Sequence, residues 1–255
     1  MKKYCEKDVL GWNAFVEECK KRVSDDNKEL GIKSEYVPHA IICTKPDYCL
    51  VTMEPGKAPS GYKAFGDWHI NYCAYHYLCN GEFKYHVTDL AKGAINTKIA
   101  DKTRKERYKK WVLLLKKELK LLGNPKAIIV NSIKAEEEIK KHKLKEVKVF
   151  RITNGSLKWK RNRDKILKKY DDIKKKDKKC DVCIPTEEEW RKFIEGLMKR
   201  CEWGPELIEA RNNGKKGCPQ ISEEFNNDIK KKFFVIYKYE LEEIKKEINT
   251  KNNIF

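Results

Sequence analysis

Apolar positions along the chain follow two periods. Over residues 5–24, Val9, Leu10, Trp12, Phe15, Val16 and Cys19 gather near one side at helical spacing, which predicts a helix. Short apolar runs bounded by turn residues, HAIICT (39–44) and YCLVTM (48–53), predict strands. NYCAYHYLC (71–79) reads as a buried helix, and FKYHVTDL (83–90) as a strand ending in polar groups. The strongest helical stripe follows: Tyr108, Trp111, Val112, Leu115, Leu119 and Leu122, with a capping-box pattern at Thr103 to Glu106 and a stop at Gly123 and Pro125. KAIIV (126–130) predicts a strand, SIKAEEEIKKH (132–142) a helix, and VKVFRI (147–152) another strand. Beyond 157 the chain is lysine-dense and helical to about 178; a second capping box, Thr186 to Glu189, opens another helix, and a last one runs from about 220 to 247.

Strands alternating with helices predict an α/β fold: a three-layer α/β/α arrangement on a central, mainly parallel four-stranded sheet, with a helical C-terminal appendage. The expected division is an N-terminal helical segment (1–30), an α/β core (31–178) and the appendage (179–255). Ligands of such sheets bind at the carboxyl ends of the strands. Three polar segments fall there: Glu54-Pro55-Gly56, Thr88-Asp89 and Asn154-Gly155-Ser156.

Charge narrows the partner. The 255 residues carry a net charge of +18, which suits a polyanion, nucleic acid or an acidic membrane surface. Cations and an aromatic interleave in SLKWKRNR (156–163), the pattern of a nucleic-acid grip. No apolar run of about 18 residues occurs, so no membrane span is expected. The N-terminus shows no secretory signal, so the expected compartment is the cytoplasm, the expected state is a monomer, and the ten cysteines are expected as reduced thiols rather than as disulfides.

The three polar segments, in this order, resemble the uracil-DNA glycosylase superfamily over roughly residues 45–165. Thr52-Met53-Glu54-Pro55-Gly56 is similar to its first motif, Thr88-Asp89-Leu90-Ala91-Lys92 to the Thr-Asn-x-x-Lys segment of its iron–sulfur branch, and Asn154-Gly155-Ser156-Leu157 to its His/Asn-Pro-Ser loop. Three positions depart from the family: Asp89 stands for Asn, Gly155 for Pro, and Gly93 where the cluster-binding branch has a Cys. No resident cofactor is therefore expected, with an iron–sulfur cluster doubtful at that position.

The resemblance implies base excision from DNA. Glycosidic cleavage builds positive charge on the sugar and negative charge on the departing base, so a carboxylate near C1′ helps. Glu54 is the candidate, with Asn154 as its catalytic partner; Ser156 would hold sugar or phosphate. The base must leave the stack. Leu157, where the family has its wedge, and Trp159 would fill the gap, while Lys158, Lys160, Arg161 and Arg163 grip phosphates. Phe65 or Trp68 would stack on the extruded base, though either suits a core equally. Asp89 would read it. A carboxylate accepts from the N4 amine of cytosine and repels O4 of uracil; only a protonated Asp would donate. Plain cytosine is the host's own base, so a selective enzyme would need a further mark. The reading resembles antiphage glycosylases that remove α-glucosyl-hydroxymethylcytosine. A uracil or mismatch repair glycosylase, and a module that binds modified DNA without cutting it, are the alternatives.

Cys180-x-x-Cys183, followed by Cys201 and Cys218, has the thiol count of a zinc site but loose later spacing and no histidine, and unliganded thiols are favoured. The zinc-deaminase His-x-Glu and the phosphate-loop Gly-x-x-x-x-Gly-Lys patterns are both missing.

Overall fold

A computed structural model describes residues 9–37, 41–55, 68–142, 147–154, 160–200 and 228–252. Contacts divide the chain into two compact units, one of Met1–Gly66, Lys84–Arg151 and Met198–Cys218, the other of Asp67–Phe83, Ile152–Leu197 and Pro219–Phe255. The division does not fall at residues 30 and 178. Helix α1 (Trp12–Leu30) joins the first unit because Trp12, Phe15, Cys19 and Val23 pack in one core with Tyr108, Trp111 and Leu115.

The first unit holds a four-stranded parallel sheet in the order β3-β2-β5-β6, formed by β2 (Tyr48–Thr52), β3 (Tyr85–Asp89), β5 (Ala127–Val130) and β6 (Lys148–Arg151). β2, β3 and β5 are buried on both faces apart from the half-buried Thr52, as a three-layer α/β/α arrangement requires. One face, carrying Cys49, Val51, Ile128 and Val130, packs with α1, α3 (Thr97–Leu122) and α4 (Ile133–Lys141). A small antiparallel pair, β1 (Glu35–Tyr36) with β4 (Gly93–Ala94), was not expected; two residues carry too little pattern to be read.

The apolar run at 39–44 is not a strand where it is described. Ile41, Ile42 and Cys43 are buried coil, and a short apolar run without alternation does not separate coil from strand. Helix α3 begins six residues before the capping box. Asn96 is its N-cap, accepting from Lys98 N at 3.0 Å, and Thr103 lies inside the helix with its hydroxyl donating to Ile99 O at 3.0 Å. A Ser/Thr-x-x-Glu string inside a helix mimics a cap because the threonine finds a carbonyl one turn back. Replacing Asn96 by Ala is expected to cost about 1 kcal/mol in urea unfolding. Thr103→Ala is expected to change stability by no more than about 0.5 kcal/mol. At the other end Gly123, at φ 99°, donates to Leu119 O and Lys120 O and stops α3 as expected.

The second unit is helical: α2 (Trp68–Cys73) running into a π-turn (Ala74–Leu78), α5 (Lys160–Lys176), α6 (Glu187–Met198) and α7 (Asp228–Asn252), with a 3-10 turn at Cys180–Cys183. Its core is aromatic. Tyr72 meets Phe193 and Phe234 edge-on at 5.3 Å, and Trp190 meets Phe234 the same way. The capping box at Thr186 and Glu189 is made in both directions, at 2.7 and 3.2 Å.

Candidate active site

Parallel pairing fixes what reaches the carboxyl edge of the sheet. β2 and β3 run in register from Tyr48↔Tyr85 to Thr52↔Asp89, and the ladder continues through Leu90 N to Thr52 O (2.9 Å) and Ala91 N to Met53 O (3.0 Å). Glu54 and Asp89 therefore leave adjacent strand ends.

Their carboxylates turn to different partners. Glu54, with a side chain 6 % exposed, faces α3: Arg104 Nε donates to Oε1 at 2.9 Å, Arg104 Nη2 donates to the same oxygen, and Tyr108 Oη donates to Oε2 at 2.6 Å. Arg104 also pairs with Asp101, whose side chain is half exposed. Burial pulls the Arg104 guanidinium down, but the hydrogen bonds and charge of Glu54 more than reverse it. Burial, and then the Glu54 charge, push the Tyr108 phenol well above its ordinary value, so it remains a donor. Pro55, buried, follows directly. Asp89 is buried too and accepts from Thr52 Oγ1, its register partner on the opposite sheet face from Cys49 and Val51.

Under the end of β3 lies a second polar cluster. Glu118, Lys92, Thr88 and His86 are all buried. Lys92 Nζ is 2.8 Å from Glu118 Oε2, donates to Thr88 Oγ1, and reaches Asp89 O at 3.2 Å. Thr88 Oγ1 donates to Glu118 Oε1 at 3.0 Å, and His86 Nε2 lies 3.2 Å from the same oxygen. Burial pushes the Glu118 carboxyl up, but the Lys92 ammonium and the His86 contact outweigh it and hold the group well below the usual range. Asp89 is thus carried on a strand end pinned from below.

Gly93 carries no ligand position. It sits in β4 beneath Arg107, whose Nη2 donates to Gly93 O at 3.1 Å. A Cβ there would stand 3.1 Å from Ser34 Oγ, 3.2 Å from Arg107 Nη2 and 3.3 Å from Val23 Cγ2, too tight for a cysteine without displacement. Where the resembled branch has a cluster ligand, this chain has a packing glycine.

Asn154 belongs to the second unit and is half-buried. Trp68, Lys160 and Arg161 lie in the first turns of α2 and α5, and Arg163 is exposed on α5. Phe65, Ser156, Leu157, Lys158 and Trp159 lie outside the described residues, as do Cys201 and Cys218. Cys180 and Cys183 are buried free thiols, Cys183 donating to Cys180 O at 2.9 Å. Among the described residues no group of three His, Cys, Asp or Glu side chains is arranged to hold a metal ion, and no helix is long and apolar enough to cross a membrane.

Arg104, Tyr108 and Glu118 were missed as site residues. Their signal was present in the apolar stripe of α3, where positions 104, 108, 111, 115, 118 and 122 share one face. Charged residues at two positions of a buried stripe demand partners of opposite charge, here Glu54 for Arg104 and Lys92 for Glu118. No protein-family model matches the chain, and no curated protein or solved structure matches it either.

Proposed function

We propose that the chain is a DNA N-glycosylase that extrudes a modified cytosine, such as the α-glucosyl-hydroxymethylcytosine of phage DNA, and hydrolyses its N-glycosidic bond in antiphage defence. The observation that carries this reading is the fixed carboxylate pair at the carboxyl edge: Glu54 oriented by Arg104 and Tyr108, and Asp89 oriented by Thr52 on the neighbouring strand. In this reading Glu54 faces the deoxyribose as the C1′–N1 bond breaks and its electron pair leaves with the base. Water adds to C1′ and one of its protons ends on the released base. Asp89 accepts from the exocyclic amine, and the net charge of +18 holds the DNA.

The test is release of free base, identified by mass, from oligonucleotides carrying cytosine, hydroxymethylcytosine, its α-glucoside or uracil. Release from the glucoside is expected, and inertness toward all four removes the reading. Asp89→Asn is expected to move preference toward uracil by roughly 5- to 150-fold, the equivalent of about 1–3 kcal/mol for one base-edge pairing. Unchanged selectivity would remove Asp89 from base reading.

One observation favours a second reading, a module that binds modified DNA without turnover. Arg104 grips Glu54 through two nitrogens and offsets its charge, which lessens what the carboxylate can do for a cationic sugar.

A further inference from the structure

Helix α3 carries two rows of lysines with different surroundings. Lys110 and Lys117 are held by carboxylates of α1, Glu29 and Glu18 respectively. The other row is Lys98, Lys102, Lys105, Lys109, Lys116 and Lys120, interrupted only by the exposed Leu113. At 3.6 residues per turn these positions fall within an arc of about 80° and extend for about 33 Å along the helix. Among the described residues only Lys109 of this row meets a carboxylate, Glu106 at 3.5 Å on the same helix. Lys98, Lys102, Lys105, Lys116 and Lys120 make no ion pair among the described residues.

We infer that this row is a DNA-binding track, a surface on which one strand of the duplex lays its phosphates along α3. The inference rests on DNA as the partner in the reading above but not on catalysis. Three features carry it. Lysines spaced three or four residues apart stand about 5–6 Å from one another, a periodic single-sign array suited to a periodic polyanion. The row has no aromatic or arginine anchor, the usual centre of a protein-binding surface. Leu113 is its one apolar member, far from the continuous apolar face that an interfacial membrane helix needs.

The experiment compares two charge-matched variants of the full chain, K102Q/K105Q in the free row and K110Q/K117Q in the row paired with α1. Binding of a fluorescent 20-base-pair duplex is followed by anisotropy across a sodium chloride series. For K102Q/K105Q the slope of log K against log salt is expected to shallow by about 1.8, since each lysine on a phosphate contributes about 0.9. For K110Q/K117Q the slope is expected to stay unchanged. Equal changes in both variants would mean that net charge alone acts and would overturn the track. So would loss of binding to phosphatidylserine vesicles by K102Q/K105Q with its DNA slope intact. DNA binding through the row without base release keeps the track and removes the glycosylase. Base release with an unaltered slope in K102Q/K105Q does the reverse.

Discussion

Glu54→Gln is expected to lower base release per folded molecule by about 100- to 1,000-fold, the scale of losing one preorganised electrostatic group, while DNA affinity stays within about twofold. The substitution keeps the shape of the side chain and the hydrogen bond from Tyr108, and removes the negative charge. It also strips Arg104 of its buried partner, leaving it Asp101 alone. A fall in melting temperature is therefore expected alongside the fall in turnover, and the two must be separated. E54Q/R104M does this. If Glu54 serves only as counterion to Arg104, the double variant regains stability and turnover together. If Glu54 acts on the sugar, the double variant regains stability and stays inactive. Full turnover by E54Q, measured on folded protein, would make Glu54 a structural carboxylate and leave the DNA-binding module as the reading.

What could be read from the sequence follows the physics of each element. Strands at 48–52 and 127–130 announced themselves because central strands buried on both faces need unbroken apolar runs between turn residues, while the outer strands at 85–89 and 148–151 mix apolar and polar positions over the same short length. Their parallel order followed from the helices between them. The run at 39–44 had the same composition, and its described part, Ile41 to Cys43, is coil, because burial alone does not supply a ladder partner. Of the site, Glu54 and Asp89 were legible as polar residues closing apolar strands. Their holders showed only as polar groups in the α3 stripe; which carboxylate each would meet did not show, since a hydrogen bond such as Tyr108 to Glu54 joins residues 54 positions apart and depends on how α3 crosses the sheet. The start of α3 at Thr97 was hidden by Thr103, whose local pattern imitates a cap. Gly93 shows the converse. Its meaning as a packing glycine appears only when Ser34, Arg107 and Val23 close around it.

Lys92→Met is expected to cost about 3–5 kcal/mol in urea unfolding, because it leaves the fully buried Glu118 without its ammonium partner. Thr88 and His86 would still contact the carboxylate, but neither supplies a permanent positive charge. K92M/E118L replaces both members by apolar groups and is expected to recover most of the loss, as buried ion pairs generally do. The pH dependence gives an independent check. The folded-state carboxyl of Glu118 is depressed relative to its ordinary value, so its contribution is fully present above about pH 4.5 and is lost as pH falls toward about 2. The wild-type stability curve should drop through that window, and the curve for K92M/E118L should be flatter there. Because Lys92 also reaches Asp89 O and Thr88, the double variant frees the end of β3 while leaving Asp89 itself in place. Discrimination among the four oligonucleotides should then weaken even where stability is recovered. A cost below about 0.5 kcal/mol for K92M, within the range of ordinary surface substitutions, would mean that the cluster beneath β3 does not anchor the residue proposed to read the base.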